Sequence, residues 1–150
     1  MTALLLPKPG IKLAERKYGA DRFGTGVAFP ETLDVDEAKM SVWVPFADGG
    51  RRDGVGDLLE VGGIRTERHR MNPVVLFDHG KQVILPIGTA EDQETKEYRV
   101  EIDPVAQSAK GCCYFYQDDR NSEHALFCEQ LFDLIVKRLV RGGSIGYQVQ

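Results

Sequence analysis

The sequence predicts a mostly β domain with helices (α+β), in which a closed or strongly bent antiparallel sheet carries one long helix near the C-terminus. Three observations point there. Apolar or alternating runs of strand length recur between glycine and proline breaks from Met40 to Tyr116. A single stretch, Ser122 to Arg141, instead spaces its apolar residues by threes and fours. The third is bulk: 150 residues, 42% hydrophobic and 28% charged, are enough for one globular domain with a real core.

Residues 1–37 hold only weak signals. Pro7, Pro9, Pro30, Gly10, Gly19, Gly24 and Gly26 punctuate them, so they are expected to be weakly ordered, with at most a short strand or a turn of helix. The domain proper is placed at residues 38–150. Met40-Ser41-Val42-Trp43-Val44 is the first clear strand, ending before Pro45. Residues 47–56, rich in glycine and charge, read as a solvated hairpin tip, or less simply as a substrate-side flap. Asp57 to Val61 reads as extended, and Ile64 to Arg70 as one or two turns of helix. Asn72-Pro73 marks a boundary, because a residue before proline avoids the helical region.

Val74-Val75-Leu76-Phe77 is an uninterrupted apolar run, expected as a strand buried on both faces, and it delivers Asp78-His79-Gly80 at its end. Val83 to Gly88 resumes extended structure, and residues 89–96 form a polar turn. Glu97 to Ile102 alternates like a half-buried strand, and Gly111 to Tyr116 makes another. The long helix then opens with Ser122 or Asn121 as cap and Glu123 in its first turn. Lys137, Arg138 and Arg141 sit near its end, where cations oppose the helix dipole, and Gly142 is the expected stop.

The formal net charge is −4 and no stretch is basic enough to track phosphates, which argues against a nucleic-acid partner. Ala3-Leu4-Leu5-Leu6 is cut short by Pro7, too brief for a signal peptide or a membrane span. A cytoplasmic location without a membrane role is therefore expected. Cys112, Cys113 and Cys128 match no zinc spacing and read as reduced thiols in the core, with the adjacent pair on opposite faces of a strand. No metal or cofactor is expected.

Gly142-Gly143-Ser144-Ile145-Gly146 carries the chemistry, if any stretch does. Glycines free the backbone on both sides of one hydroxyl. A serine hydroxyl is a weak nucleophile until a base takes its proton, and histidine is the usual base. Of the three histidines, His69 lies between two arginines and is expected in solvent. His124 opens the long helix, about a helix length from Ser144. His79 ends a buried strand and is the plausible partner, although an isolated strand-end histidine more often just bonds to backbone. The stretch also fits the G-x-S-x-G elbow of α/β-hydrolases, but that elbow runs strand, turn, helix, with its histidine downstream. Here a helix precedes Ser144 and no histidine follows it.

In their order, Gly56-Asp57-Leu58-Leu59-Glu60, Asn72-Pro73-Val74-Val75-Leu76-Phe77-Asp78-His79, Pro86-Ile87-Gly88 before an acidic turn, and a helix running into Gly-Gly-Ser144-Ile145-Gly146-Tyr147 resemble the phage prohead (capsid-maturation) protease family. That family is related to the herpesvirus assemblins, and the resemblance covers about residues 40–149. It implies an assemblin-like β-barrel core wrapped by helices and a serine endopeptidase with His79 as general base and Ser144 as nucleophile. Backbone N–H groups near the serine, at Gly143 and Ile145, would form the oxyanion site.

The implied substrates are scaffold proteins or the scaffolding segment of the capsid protein, cut inside the immature capsid in the host cytoplasm. Self-cleavage is implied too, and a homodimer follows by analogy with the assemblins. The family's third catalytic member lies downstream of its serine, whereas residues 145–150 hold neither an acid nor a histidine. That member is expected beyond residue 150, and the 150-residue chain is expected to be weak or inactive by itself. Asp78, next to His79 on a strand, is a poor orienter, and Glu91 or Asp92 would serve only if their loop folds back. The alternative is a non-catalytic capsid assembly or scaffold module that keeps the fold. A cysteine hydrolase is disfavoured, because no glycine-framed site surrounds the thiols.

Overall fold

The computed structural model describes residues 34–50, 52, 58–81, 83 and 85–140, with only the backbone of Asp78 and His79. Six strands run β1 (Asp34–Asp36), β2 (Ser41–Asp48), β3 (Val74–Val75), β4 (Gly88–Thr89), β5 (Val100–Asp103) and β6 (Ser108–Phe115). Two α-helices, α1 (Glu67–Met71) and α2 (Glu123–Val136), and two 3-10 turns, Val61–Gly63 and Phe77–Gly80, complete the described chain. No helix among the described residues is long and apolar enough to cross a membrane.

All strand pairs are antiparallel, in the order β1-β2-β6-β4-β3, with β5 also on β6. The expected closed or strongly bent barrel is corrected: the described sheet is open. Closure needs long strands whose stagger brings the two edges together. Only β2 and β6 reach eight residues. The edge strands β1 and β3 have three and two. Proline and glycine explain the shortness. Pro73 precedes the Val74–Phe77 run, Pro86 interrupts the Val83–Gly88 run, and Phe77–Gly80 coils into a 3-10 turn.

The spine is the β2–β6 pair, in register from Ser41↔Tyr114 to Asp48↔Ser108, with a bulge between Pro45 and Ala47. Two tight turns set its flanks. Met40 takes a left-handed φ of 47° between β1 and β2, where Lys39 N–H donates to Asp36 Oδ1 at 3.1 Å. Gln107 does the same at 53° between β5 and β6, and Asp103 Oδ1 accepts from Val105 and Ala106 N–H at 3.0 and 2.9 Å. Gly88 is where β4 meets β6 most closely. A Cβ there would run into the Tyr114 carbonyl and lie 2.8 Å from Cys113 Sγ, so no larger residue fits this pairing.

β6 explains the placing of the core. Its first half alternates exposed and buried; its second half, Cys112–Phe115, is buried throughout. On one face Cys113 and Phe115 join Val42 and Ile87 against Cys128, Leu131, Phe132 and Ile135 of α2. The Phe115 and Phe132 rings meet edge-on at 5.4 Å. A smaller cluster of Ala47, Val61 and Ala109 fills the far end of the spine. All three cysteines are buried and free, as the sequence reading held. Residues 1–33 and 141–150, including the glycine-framed serine stretch, lie outside the described residues.

Candidate functional site

The turn that carries His79 is held on both sides. β3 pairs with β4 through Val74↔Thr89 and Val75↔Gly88, and Ile87 N–H donates to the Val75 carbonyl at 2.9 Å. Upstream, Ala90 N–H donates to the Pro73 carbonyl at 2.7 Å. His69 closes the anchor. Its Nε2–H donates to the Val74 carbonyl at 3.0 Å, so Nδ1 accepts from the Tyr98 hydroxyl at 2.8 Å. The Arg70 guanidinium lies 4.6 Å from the Tyr98 ring centroid. His69 is thus a half-buried clamp between α1, β3 and Tyr98, not the solvent-facing residue expected from its arginine neighbours. Downstream, Phe77 packs on the core and meets the Phe127 ring of α2 at 5.6 Å, nearly perpendicular.

His79 therefore sits in a 3-10 turn rather than at the tip of a four-residue buried strand. The strand is two half-buried residues long. Asp78 and His79 follow each other along that turn, so the alternation argument that set them on opposite strand faces does not apply. Gly80 ends the turn with φ 75°.

The limb leading to Ser144 is α2. Ser122 caps it as expected, accepting from Ala125 N–H at 3.1 Å while its own hydroxyl donates to Asp118 at 2.5 Å. The end differs from expectation. The helix stops at Val136, and Arg138 turns the chain with a left-handed φ of 63°. Leu139 N–H then donates back to the Leu134 carbonyl at 2.8 Å, and Val140 folds onto the main core. An αL stop at a non-glycine residue carries no glycine signature, which is why the sequence pointed to Gly142 instead. The nucleophile candidate Ser144 and its flanking Gly143 and Ile145 lie outside the described residues, as does Arg141.

The Asp92 carboxylate, a possible orienter only if its loop folds back, is taken up by other partners. It is 6% exposed and already accepts from Lys39 Nζ at 3.0 Å, the Tyr114 hydroxyl at 3.1 Å, and the Glu94 and Thr95 N–H groups at 2.8 and 3.2 Å. The Lys39 ammonium, then those two backbone donors, hold its carboxyl far below the usual carboxylate range. Burial pushes the Tyr114 hydroxyl well up. Glu91 is paired as backbone with Tyr98.

One contact escaped the sequence reading although its spacing was visible. His124 and Cys128, four apart on α2, bring Nε2 and Sγ to 3.6 Å. The pair is structural. Nε2–H already donates to the Pro86 carbonyl at 2.7 Å, Cys128 is fully buried, and that burial raises its thiol above the ordinary value. Burial likewise raises Cys112 and Cys113, as for thiols that pack in a core.

Compared with protein-family models, with curated proteins and with solved structures, the chain matches none.

Proposed function

We propose that the chain is a serine endopeptidase of the prohead type, cutting scaffold or capsid-protein scaffolding segments during phage capsid maturation. In this reading His79 removes the Ser144 proton as the hydroxyl attacks the scissile carbonyl. His79 then returns the proton to the leaving amine, and water repeats the cycle on the acyl-enzyme. Backbone N–H groups at Gly143 and Ile145 hold the developing oxyanion. The ordered motifs around His79 and Ser144 motivate the reading.

The observation that supports it is a shared anchor. Val75 and Phe77, on the limb leading to His79, pack against the same core cluster as Val140, on the limb leading to Ser144. His79 is two residues beyond Phe77 and Ser144 four beyond Val140. At about 3.5 Å per residue, the serine limb reaches up to about 14 Å from that cluster. A meeting of imidazole and hydroxyl is within the chain's reach.

A fluorophosphonate probe tests this on the chain carried past residue 150, where the third catalytic member is expected. Ser144 is expected to take the label, and Ser144→Ala to take none. His79→Ala is expected to slow labelling by about a thousandfold or more, the usual cost of losing a general base. A folded protein whose Ser144 stays unlabelled would sink the peptidase and leave the non-catalytic assembly module in its place.

A further inference from the structure

The outer face of α2 and the β1–β2 turn border an open groove of about 510 Å³. Its lining includes the apolar Met40, Leu126 and Val136, of which Leu126 is 44% and Val136 36% exposed. Three carboxylates, Glu37, Glu129 and Asp133, stand among them. Lys137 pairs with Asp133 at 2.6 Å; among the described residues no ion pair answers Glu37 or Glu129. Apolar surface left in water is costly, and an acidic rim selects a cationic occupant.

The chain itself has such a segment, upstream of the turn that borders the groove. Described residues begin at Asp34, immediately ahead of the turn that supplies Glu37 and Met40. Upstream, Leu4-Leu5-Leu6, Lys8 and Ile11-Lys12-Leu13-Ala14-Glu15-Arg16-Lys17 interleave apolar residues with cations, and Glu15 is the sole acid in residues 1–20. Sixteen residues separate Lys17 from Asp34. They span up to about 50 Å, so reach sets no limit.

We propose that residues 4–17 of this chain dock in the groove, their cations against Glu37, Glu129 and Asp133 and their apolar residues on Met40, Leu126 and Val136. The docking is independent of the peptidase reading. Zero-length carbodiimide cross-linking of the full chain, mixed from normal and isotope-labelled protein, tests it. Peptides joining Lys8, Lys12 or Lys17 to Glu37, Glu129 or Asp133 within one isotope are expected. Absence of these links overturns the proposal; links that mix isotopes overturn it too, because they seat a second copy in the groove.

Amide exchange gives a separate readout. The double variant Glu129→Gln, Asp133→Asn changes exposed positions and keeps the fold. It is expected to speed exchange over residues 11–17 about tenfold, the scale of losing two surface charge contacts and part of the packing they hold. Unchanged exchange counts against docking.

Discussion

At the residue scale, Asp92 is one carboxylate through which acid acts on this protein's stability. Its carboxylate is buried and fully partnered, with Lys39 as the strongest influence on it. Because its pKa is depressed in the folded state, its contribution is complete above the unfolded carboxyl pKa of about 3.9. The contribution drains away as pH falls below that value toward the lower folded one. Asp92→Asn is therefore expected to be less stable than wild type near neutrality. The gap should narrow steadily below about pH 4, which urea denaturation across a pH series would measure. A gap independent of pH would mean that the carboxylate charge contributes nothing. None of this was legible in the sequence. Residues 89–96 read as a polar turn, because the partners that bury Asp92 lie 53 and 22 positions away. His69 misled for the same reason: its arginine neighbours were visible, whereas Tyr98 was not.

At the scale of the element, α2 was the most legible part of the chain. Its apolar stripe and its Ser122 cap could both be read from spacing alone, since a helix is specified locally. Ser122→Ala removes the acceptor for Ala125 N–H and the donor to Asp118. It is expected to cost about 1 kcal/mol in chemical denaturation, with an unchanged m-value. The strands were read less well. Val74 to Phe77 has no periodicity to separate strand from turn, and only its first two residues found a partner in β4. The candidate site was legible as residue types in order. Its geometry was not, because the approach of two limbs depends on tertiary packing.

At the scale of the whole molecule, the larger core of the described residues is one sheet face covered by one helix. Phe132 touches that arrangement at its centre, 7% exposed and edge-on to Phe115. Phe132→Ala is expected to cost about 3–5 kcal/mol, a large part of the stability of a domain this size. Equilibrium denaturation followed by both near-UV and far-UV signals would check it; a loss well under 1 kcal/mol would show that α2 is not the lid of the core. The sequence could show that a sheet and a helix exist. It could not show whether the sheet closes, because closure depends on strand lengths that Pro73, Pro86 and the Phe77–Gly80 turn cut short.

An open sheet has a further consequence, and Pro45 is where it is felt. β1 covers β2 only from Ser41 to Trp43, and among the described strands none flanks the outer side of β2 from Val44 to Asp48. Such a bare margin is where a foreign strand would zip on and seed fibrils. Pro45 has no amide hydrogen to offer an incoming chain, and the bulge beside it breaks the straight line that cross-β stacking requires. The same kink that spoils a regular ladder thus makes this margin of β2 a poor template for an added strand.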